Sequence, residues 1–380
     1  MRVPGKGKAA DPCHATSYAA VMDDSFTDLV LLGAGHAHVD VLRRAARRPI
    51  PGTSLTLVTR EPHATYSGML PGLLRGDYAF DDAHIACAPL AAAAGARLLI
   101  AEAEGIDLAA GTLRLTGQPS LPFDLLSIDV GGRPAMPPGG GVPVKPVGRL
   151  LAQLAALEAR LTPGDRLAVI GAGAGGCELA LALAHRLGPR ARIVLIGRDA
   201  APLPGAPPRA QAAVRRALAD SGIDWLGGVD AGPFRDGALA LADGRVLALA
   251  EAFWATGVTG PAFLATSGLP CDGAGCLRVD ATLRSIGDNR VFAAGDCAAL
   301  EGNQRPKAGV WAVRAGRILD ANLRRAVAGR PLRRWRPQRD ALMILSLGDN
   351  RAVAWRNGFV LSGHLVWRWK DHIDRKWMRQ

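Results

Sequence analysis

Short apolar runs alternate with glycine-rich turns and with stretches of helical periodicity along residues 27–260. Two of these runs, 28–32 and 167–170, each lead directly into a glycine-rich turn and then into a helical stretch. A further apolar run closes each series, at 54–58 and at 192–196. The order strand, turn, helix, strand predicts two βαβ units, and therefore parallel sheets covered by helices.

Both turns have the composition of a phosphate-binding loop. The first is Gly33-Ala34-Gly35, and the second is Gly171-Ala172-Gly173-Ala174-Gly175-Gly176. Glycines let a diphosphate approach the backbone, and the helix that follows offers free N–H donors and partial positive charge. Two such loops predict two bound dinucleotides.

A third segment, 291–298, predicts a strand that ends in Gly295-Asp296 before a helix. A carboxylate at that place suits the hydroxyls of a ribityl or ribose chain. We therefore interpret the chain as a flavin enzyme that receives electrons from a nicotinamide nucleotide. A ribityl-binding strand must lie beside the first loop, so we expect the chain to return to its first sheet here.

These patterns predict an α/β protein with two Rossmann-like dinucleotide-binding domains. We expect a discontinuous FAD domain at 26–145 and 262–330, with an NAD(P)H domain inserted at 146–261. Prolines and glycines at 137–141 mark the linker between them. We also expect a disordered leader at 1–25 and a C-terminal cap or tail at 331–380.

The composition indicates where the positive charge lies and in which compartment the protein is expected. The formal net charge is +12, and residues 331–380 hold eleven Lys/Arg against four Asp/Glu together with five of the eight tryptophans. A basic excess that lies mostly in one tail does not predict nucleic-acid binding by the domains. The six cysteines show no metal-site pairs, and no export signal is visible, so we expect a cytoplasmic protein without a metal site.

The order of motifs over roughly residues 27–325 resembles the pyridine nucleotide-disulfide oxidoreductase superfamily. Through residues 58–71 the chain is similar to type II NADH dehydrogenases and to sulfide:quinone reductases. A narrower resemblance, carried by residues 33–39, 66–72 and 367–375, is to the flavoprotein module fused to selenide, water dikinase in some bacteria.

The resemblance implies which residues hold FAD. The diphosphate lies at the first loop, the adenosine near the second strand, the ring along 66–71, and the ribityl chain at the Gly-Asp segment. The implied residues are Gly33, Gly35, His36, Ala37, His38, Thr59, Arg60, Gly68, Met69, Gly295, Asp296, Lys307 and Ala308. Two departures from the family pattern are His38 at the third glycine of the loop and Thr59 where a ribose-binding carboxylate is expected, with Arg60 or Glu61 as substitutes.

For the nicotinamide nucleotide the implied residues are Gly171, Gly173, Ala174, Gly175, Gly176, Arg198 and Gly257. Glu178 follows the second loop, where type II dehydrogenases carry a helix glutamate near both rings, and it is our candidate catalytic residue. The alternative is a first-turn glutamate that only complements the helix dipole. Arg198, at the end of the second strand, favours NADPH, although NADH stays open.

Disulfide reductases of this superfamily need a cysteine pair facing the flavin, and neither expected place has one. Cys271 and Cys276 are close in sequence but lie in a glycine-rich loop. Cys297 is more consistent with a small side chain packed under the flavin than with a reactive thiol. We therefore expect electrons to leave the flavin directly for a quinone-like acceptor. Lys307 and Trp311 are candidates for the acceptor pocket, and Lys145 is either close to the flavin or on the surface.

Val366, Trp369, Ile373 and Trp377 recur at helical spacing among basic residues. Such a helix at 365–380 suits an anionic membrane surface, the protein's own body or a second copy of the chain in a homodimer. If the tail meets lipid, we expect the protein at the inner face of the membrane. Two other functions remain open: reduction of a selenium or sulfur species for selenophosphate synthesis, and a flavin-bearing sensor with a vestigial nicotinamide site.

Overall fold

The computed structural model describes residues 26–303, 307–338 and 340–380, so the predicted leader at 1–25 lies outside the described residues. The elements of the first part are β1 (Thr27–Leu32), α1 (His36–Arg47), β2 (Thr53–Thr59), β3 (His63–Thr65), α2 (Leu70–Arg75), α3 (Phe80–Ala83), β4 (His84–Ala86), α4 (Cys87–Ala93), β5 (Arg97–Ile100), β6 (Ala103–Asp107), β7 (Thr112–Leu115), β8 (Gln118–Pro122), β9 (Leu125–Ile128) and β10 (Arg133–Pro134).

The second part contains β11 (Val142–Pro143), α5 (Val147–Glu158), β12 (Asp165–Ile170), α6 (Ala174–Leu187), β13 (Ala191–Gly197), α7 (Pro208–Asp220), β14 (Asp224–Gly227), β15 (Ala231–Arg235), β16 (Ala238–Leu241), β17 (Val246–Ala248), β18 (Glu251–Trp254) and β19 (Val258–Thr259). The third part contains α8 (Ala262–Ala265), β20 (Leu277–Val279), β21 (Val291–Ala293), β22 (Ala298–Leu300), α9 (Gly309–Val327), β23 (Met343–Gly348), β24 (Arg351–Arg356), β25 (Phe359–Gly363) and α10 (His364–Met378).

Two five-stranded parallel sheets form the frame of the protein. The first has the order β21-β9-β1-β2-β5, and the second has the order β11-β18-β12-β13-β14. Strand β21 pairs in parallel with β9, so the chain returns to its first sheet after the second sheet is complete. Apolar runs without alternation, such as 29–32 and 167–170, are buried because both faces of each parallel sheet are covered. On the second sheet, helices α5, α6 and α7 pack on one face, and the antiparallel strands β15–β17 cover the other, where a second layer of helices was expected. The predicted α/β fold class is confirmed.

The segment after β21 differs from its prediction. Gly295–Cys297 forms a single 3-10 turn, and β22 follows it, paired in parallel with β20. The long helix α9 begins only at Gly309. Gly295 has a φ of +71°, which bends the chain away from a helical path and aims Asp296 across the end of the sheet.

The C-terminal region folds onto both nucleotide-binding units. Strands β23, β24 and β25 form an antiparallel sheet, and Leu345 and Val353 from it belong to the same buried cluster as Leu179 of α6. At the other end of the region, Trp377 of α10 packs into the core of the first unit. Within the described parts of the chain, no helix combines the length and apolar character needed to cross a bilayer.

Candidate functional site

A cavity of about 1060 Å³ lies between the carboxyl ends of the two parallel sheets and reaches both glycine-rich loops. Open α/β sheets bind ligands at this edge. The cavity brings together most of the residues that the sequence predicted for the site. These are Gly33, Gly35, His36, Thr59, Arg60, Gly171, Gly173, Ala174, Gly175, Glu178, Arg198, Gly257, Gly295, Asp296, Lys307 and Ala308.

The other predicted residues support the cavity from outside its lining. Ala37 and His38 are buried in the first turn of α1, and Met69 packs with Tyr78 in a small apolar cluster. The Gly68 carbonyl accepts a hydrogen bond of 2.6 Å from Lys370 Nζ. A Cβ on Gly176 would lie 1.7 Å from the Gly171 carbonyl oxygen, so this glycine allows the close packing of α6 against its own loop.

Both loops have the geometry of a nucleotide cradle. Gly33 has a φ of +93°, and a Cβ there would lie 2.4 Å from the Asp129 carbonyl oxygen. Gly171 has a φ of +105°, and a Cβ there would lie 2.5 Å from the Ala255 carbonyl oxygen. Only glycine meets both demands, so each turn presents bare backbone to the cavity. The residues present therefore fit a dinucleotide at each loop.

The structure explains how His38 replaces the third glycine of the first loop. Its ring is fully buried, with Nδ1 2.6 Å from the Gly33 carbonyl oxygen and Nε2 2.8 Å from Ser127 Oγ. Burial lowers the pKa of His38 to about 4, so the ring is neutral. The imidazole therefore links the first loop, through Gly33, to Ser127 of β9.

His36 lies at the start of α1 and lines the cavity. Its ring contacts both Tyr66 and Trp377, with centroid distances of 5.3 and 5.2 Å. Burial lowers its pKa to about 4, with Lys145 acting in the same direction. Nε2 is buried without a hydrogen-bond partner in the described structure. A ligand with a polar group at the first loop would give this nitrogen its partner.

Sequence reasoning missed Asp129. Its carboxylate accepts hydrogen bonds from the amides of Ala37, at 2.8 Å, and His38, at 3.2 Å. The residue is 2% exposed, and burial raises its pKa to about 7. An acidic residue inside the apolar run 125–130 was the available signal, since a buried carboxylate requires hydrogen-bond partners.

Lys145 also has a defined place. It lies between β11 and α5 at the start of the second unit, and its Nζ is 2.6 Å from Asp296 Oδ2. Both residues line the cavity. The ion pair therefore holds Lys145 in the cavity wall and joins the start of the second unit to the first unit.

Glu178 is placed on the second turn of α6, facing the cavity. Its Oε1 accepts a hydrogen bond of 2.8 Å from the Ser346 amide of β23. Burial raises its pKa to about 7, although Lys370 and the Ser346 amide favour the charged form. The carboxyl can therefore hold or release a proton near neutral pH, which the helix-dipole interpretation does not explain.

The two ends of the cavity, near the ends of β2 and β13, have different side chains. Thr59 Oγ1 donates a hydrogen bond to the Glu61 carbonyl oxygen, and Arg60 lies 3.9 Å from the Glu61 carboxylate. Arg198 is exposed beside Asp199 and has no ion pair among the residues that the structure describes. It is available to a phosphate at the second loop.

Each of the five described cysteine thiols donates to a backbone carbonyl rather than facing the cavity. Burial raises the pKa of all five thiols, most strongly for Cys297 at the Gly-Asp turn. Trp311 lies on α9 outside the cavity lining, whereas Lys307 lines the cavity and donates to the Ala298 carbonyl. No cluster of metal-binding side chains occurs in the described ranges.

Two glycine-rich strand–turn–helix units that share one cavity define an oxidoreductase with two dinucleotide sites. The family model described as pyridine nucleotide-disulphide oxidoreductase matches residues 27–316. The chain belongs to this family. The membership confirms the predicted superfamily, the assignment as an oxidoreductase, and FAD and NAD(P)H as its cofactors. The narrower resemblance to the module fused to selenide, water dikinase stays a prediction.

Two curated relatives show how far the similarity extends. Demethylphylloquinone reductase NdbB of Synechocystis is 30% identical over 263 residues, which cover 65% of this chain and 64% of that protein. An NADH dehydrogenase-like protein of Mycobacterium tuberculosis is 34% identical over 141 residues, covering 34% of this chain and 35% of that protein. The chain thus spans less than two thirds of the length of these curated relatives.

Solved structures share the fold at low identity. The sulfide:quinone oxidoreductase from Aquifex aeolicus has a TM-score of 0.74 at 18% identity, covering 92% of this chain and 90% of that chain. A NAD-dependent persulfide reductase from A. fulgidus has a TM-score of 0.72 at 22% identity, covering 87% and 64%. At these identities the similarity is one of fold.

Proposed function

We propose that this protein is an FAD-dependent NAD(P)H dehydrogenase that reduces a quinone-like acceptor without a redox disulfide. The observation that carries the proposal is the single cavity that connects the two phosphate loops and holds Glu178 in its wall. When bound, FAD supplies a ring that accepts hydride from the nicotinamide and gives electrons to the acceptor. The chain's own residues bind and orient the two nucleotides and protonate the acceptor.

The first unit holds the flavin nucleotide in this proposal. The backbone of Gly33 and Gly35 and the start of α1 receive the diphosphate, and the His36 ring closes over that loop. Asp296 receives the ribityl hydroxyls, in exchange for part of its contact with Lys145. Residues Lys307 and Ala308, with the free N–H groups at the start of α9, form the far edge of the flavin site.

The second unit holds the nicotinamide nucleotide. The loop 171–176 and Gly257 accommodate the diphosphate and ribose, and Arg198 lies where a 2′-phosphate of NADPH would be recognised. Glu178 supplies a proton to the reduced acceptor, since its pKa of about 7 leaves it partly protonated near neutral pH.

The hydrogen bonds and pKa values of the cysteine thiols support direct electron transfer from the flavin to the acceptor. Reactive thiols have lowered pKa values and face their partner, whereas the described thiols here are hydrogen-bonded to carbonyls and have raised pKa values. A quinone-like acceptor is supported by the names of the relatives, a demethylphylloquinone reductase and a sulfide:quinone oxidoreductase.

The C-terminal region offers a surface for a membrane that carries the quinone. Predicted apolar positions of α10 divide between two faces: Val366 and Trp377 are buried, whereas Trp369 and Ile373 are 43% and 37% exposed. Lys370 and Asp374 are buried on the same side of the helix as Val366 and Trp377. Leu365 and Phe359 extend the exposed apolar positions, with Arg368 and Lys376 exposed on the same helix. We propose that this exposed surface meets anionic lipid.

The proposal is tested on the purified protein without oxygen. A yellow flavin spectrum that NADPH or NADH bleaches, and that a soluble quinone restores at a rate matching turnover, is the expected result. A protein that binds no added flavin contradicts the proposal. So does a reduced protein that oxidised selenium or sulfur compounds reoxidise while quinones do not.

A further inference from the structure

Asp129 holds the N–H groups at the start of α1. Its Oδ2 lies 2.8 Å from the Ala37 amide nitrogen and 3.2 Å from the His38 amide nitrogen. The helix has no side-chain cap of its own, because its N-cap residue is Gly35. The carboxylate reaches these amides from the end of β9, and it also lines the cavity.

These amides belong to the donor group that the first loop offers to a diphosphate. A Cβ on Gly35 would lie 2.3 Å from the Asp129 carboxyl carbon, so the carboxyl fills the space directly behind the loop. A diphosphate and an ionised carboxylate at one helix N-terminus repel each other in a site largely shielded from water. A protonated carboxyl removes that repulsion, and its O–H becomes a donor to a phosphate oxygen.

We propose that Asp129 is a positioning residue for the FAD diphosphate that acts in its protonated form, so that FAD binding takes up one proton at this carboxyl. The inference rests on the proposed function, in which the first loop binds FAD. The step adds one proton from solvent to Asp129 and breaks no covalent bond.

The groups that face Asp129 come from three elements besides its own strand. From α1, His36 and His38 are neutral near pH 7, because burial lowers the pKa of each to about 4. From the Gly-Asp turn, Asp296 raises the pKa of Asp129, and the buried Cys297 thiol has a raised pKa of its own. From the turn between β11 and α5, Lys145 lowers the pKa of Asp129.

The direction of the pH dependence follows from these facts. Burial is the largest cause of the raised pKa of Asp129, about 7 in the free protein, and the two amides oppose it. A bound diphosphate raises this pKa further through its negative charge. FAD affinity is therefore highest and constant below about pH 7, and above it the affinity falls by up to about tenfold per pH unit until the bound-state pKa is reached.

The test uses apo-protein and FAD in calorimetric titrations at about pH 8, in two buffers with different ionisation enthalpies, which give the number of protons taken up. For the natural protein we expect close to one proton per FAD, and a dissociation constant that rises with pH. Asp129→Asn keeps an oxygen acceptor for the two amides and an N–H donor for the phosphate. We expect it to bind FAD with no proton uptake and with an affinity independent of pH.

Glu104→Gln, at an exposed position of β6 outside the cavity lining, is the control. It should retain the proton uptake of the natural protein. Proton uptake near zero in the natural protein overturns the inference even if Asp129→Asn fails to fold, and so does an unchanged uptake in a folded Asp129→Asn. In both cases FAD still binds, whereas absence of FAD binding at every pH refutes the proposed function itself.

Discussion

Tyr66 Oη donates a hydrogen bond of 3.0 Å to Asp374 Oδ1 and so joins the segment after β3 to the C-terminal helix. The other oxygen of Asp374 accepts from Lys370 Nζ at 2.7 Å, and the same ammonium group donates to the Gly68 carbonyl. The Trp377 ring stacks on Tyr66 at 4.4 Å between centroids. Helix α10 is therefore fastened to the segment that the sequence assigned to the flavin ring.

Replacing Asp374 by alanine should destabilise the protein strongly. The change leaves Lys370, whose side chain is 10% exposed, without its charge partner, and such losses cost about 3–5 kcal/mol. We expect the free energy of unfolding in urea to fall by about that amount. Lys376→Ala, at an exposed position of the same helix, should change it by no more than about 0.5 kcal/mol. Equal effects of the two changes would show that the buried ion pair does not fasten the helix.

The sequence predicted the two sheets and loops because each βαβ unit is a local pattern of apolar runs and glycines. It missed the contact of Asp129 with the start of α1. This contact joins residues about 90 positions apart, so no local sequence pattern indicates it. It also left open what α10 packs against. Of the four apolar positions at helical spacing, Val366 and Trp377 are buried and Trp369 and Ile373 are exposed. Lys370 and Asp374 are buried as well, because they neutralise each other and find partners on another element.

Acceptor reduction should depend on the protonation of Glu178. Its pKa is raised to about 7, so the carboxyl carries its proton below that pH and loses it above. We expect kcat with a quinone to decline as pH rises through about 7. Glu178→Gln retains the shape of the side chain but supplies no proton, and should lower kcat by about 10²-fold and remove this pH dependence.

The comparison needs stopped-flow measurement of flavin reduction and flavin reoxidation separately, since only the second step consumes the proton. Glu104→Gln, at an exposed strand position, serves as the control and should behave as the natural protein. If Glu178→Gln retains the full pH profile of reoxidation, the proton comes from another group.

Arg198 should set the preference between the two nicotinamide nucleotides. Its guanidinium is exposed at the end of β13 and lines the cavity, and a charge-assisted bond to a 2′-phosphate contributes about 1.5–3 kcal/mol. Arg198→Ala should therefore lower kcat/KM for NADPH by about tenfold or more and leave the value for NADH nearly unchanged. Arg192→Ala, exposed on the same strand but outside the cavity lining, should alter neither value. Equal losses of kcat/KM for both nucleotides would show that Arg198 does not determine the specificity.

The exposed face of α10 should bind anionic vesicles. Leu365 is 79% exposed and Trp369 is 43% exposed, one turn apart, and burying such a side chain contributes about 1.5–3 kcal/mol. Arg368 between them adds about 1 kcal/mol near an anionic surface. We expect the protein to sediment with phosphatidylglycerol vesicles, less with phosphatidylcholine vesicles, and less at high salt.

The double variant Leu365→Ser with Trp369→Ser removes two apolar side chains that are not part of a buried core cluster, so the fold and the flavin content should persist. Its binding to anionic vesicles should weaken by at least about tenfold, because the two lost contacts together exceed 1.4 kcal/mol. Val246→Ser, at an exposed apolar position on β17, tests whether the loss of any exposed apolar side chain has this effect. This variant should bind the vesicles as strongly as the natural protein does. Undiminished binding of the double variant would place the lipid contact on another surface, since only the α10 face was changed.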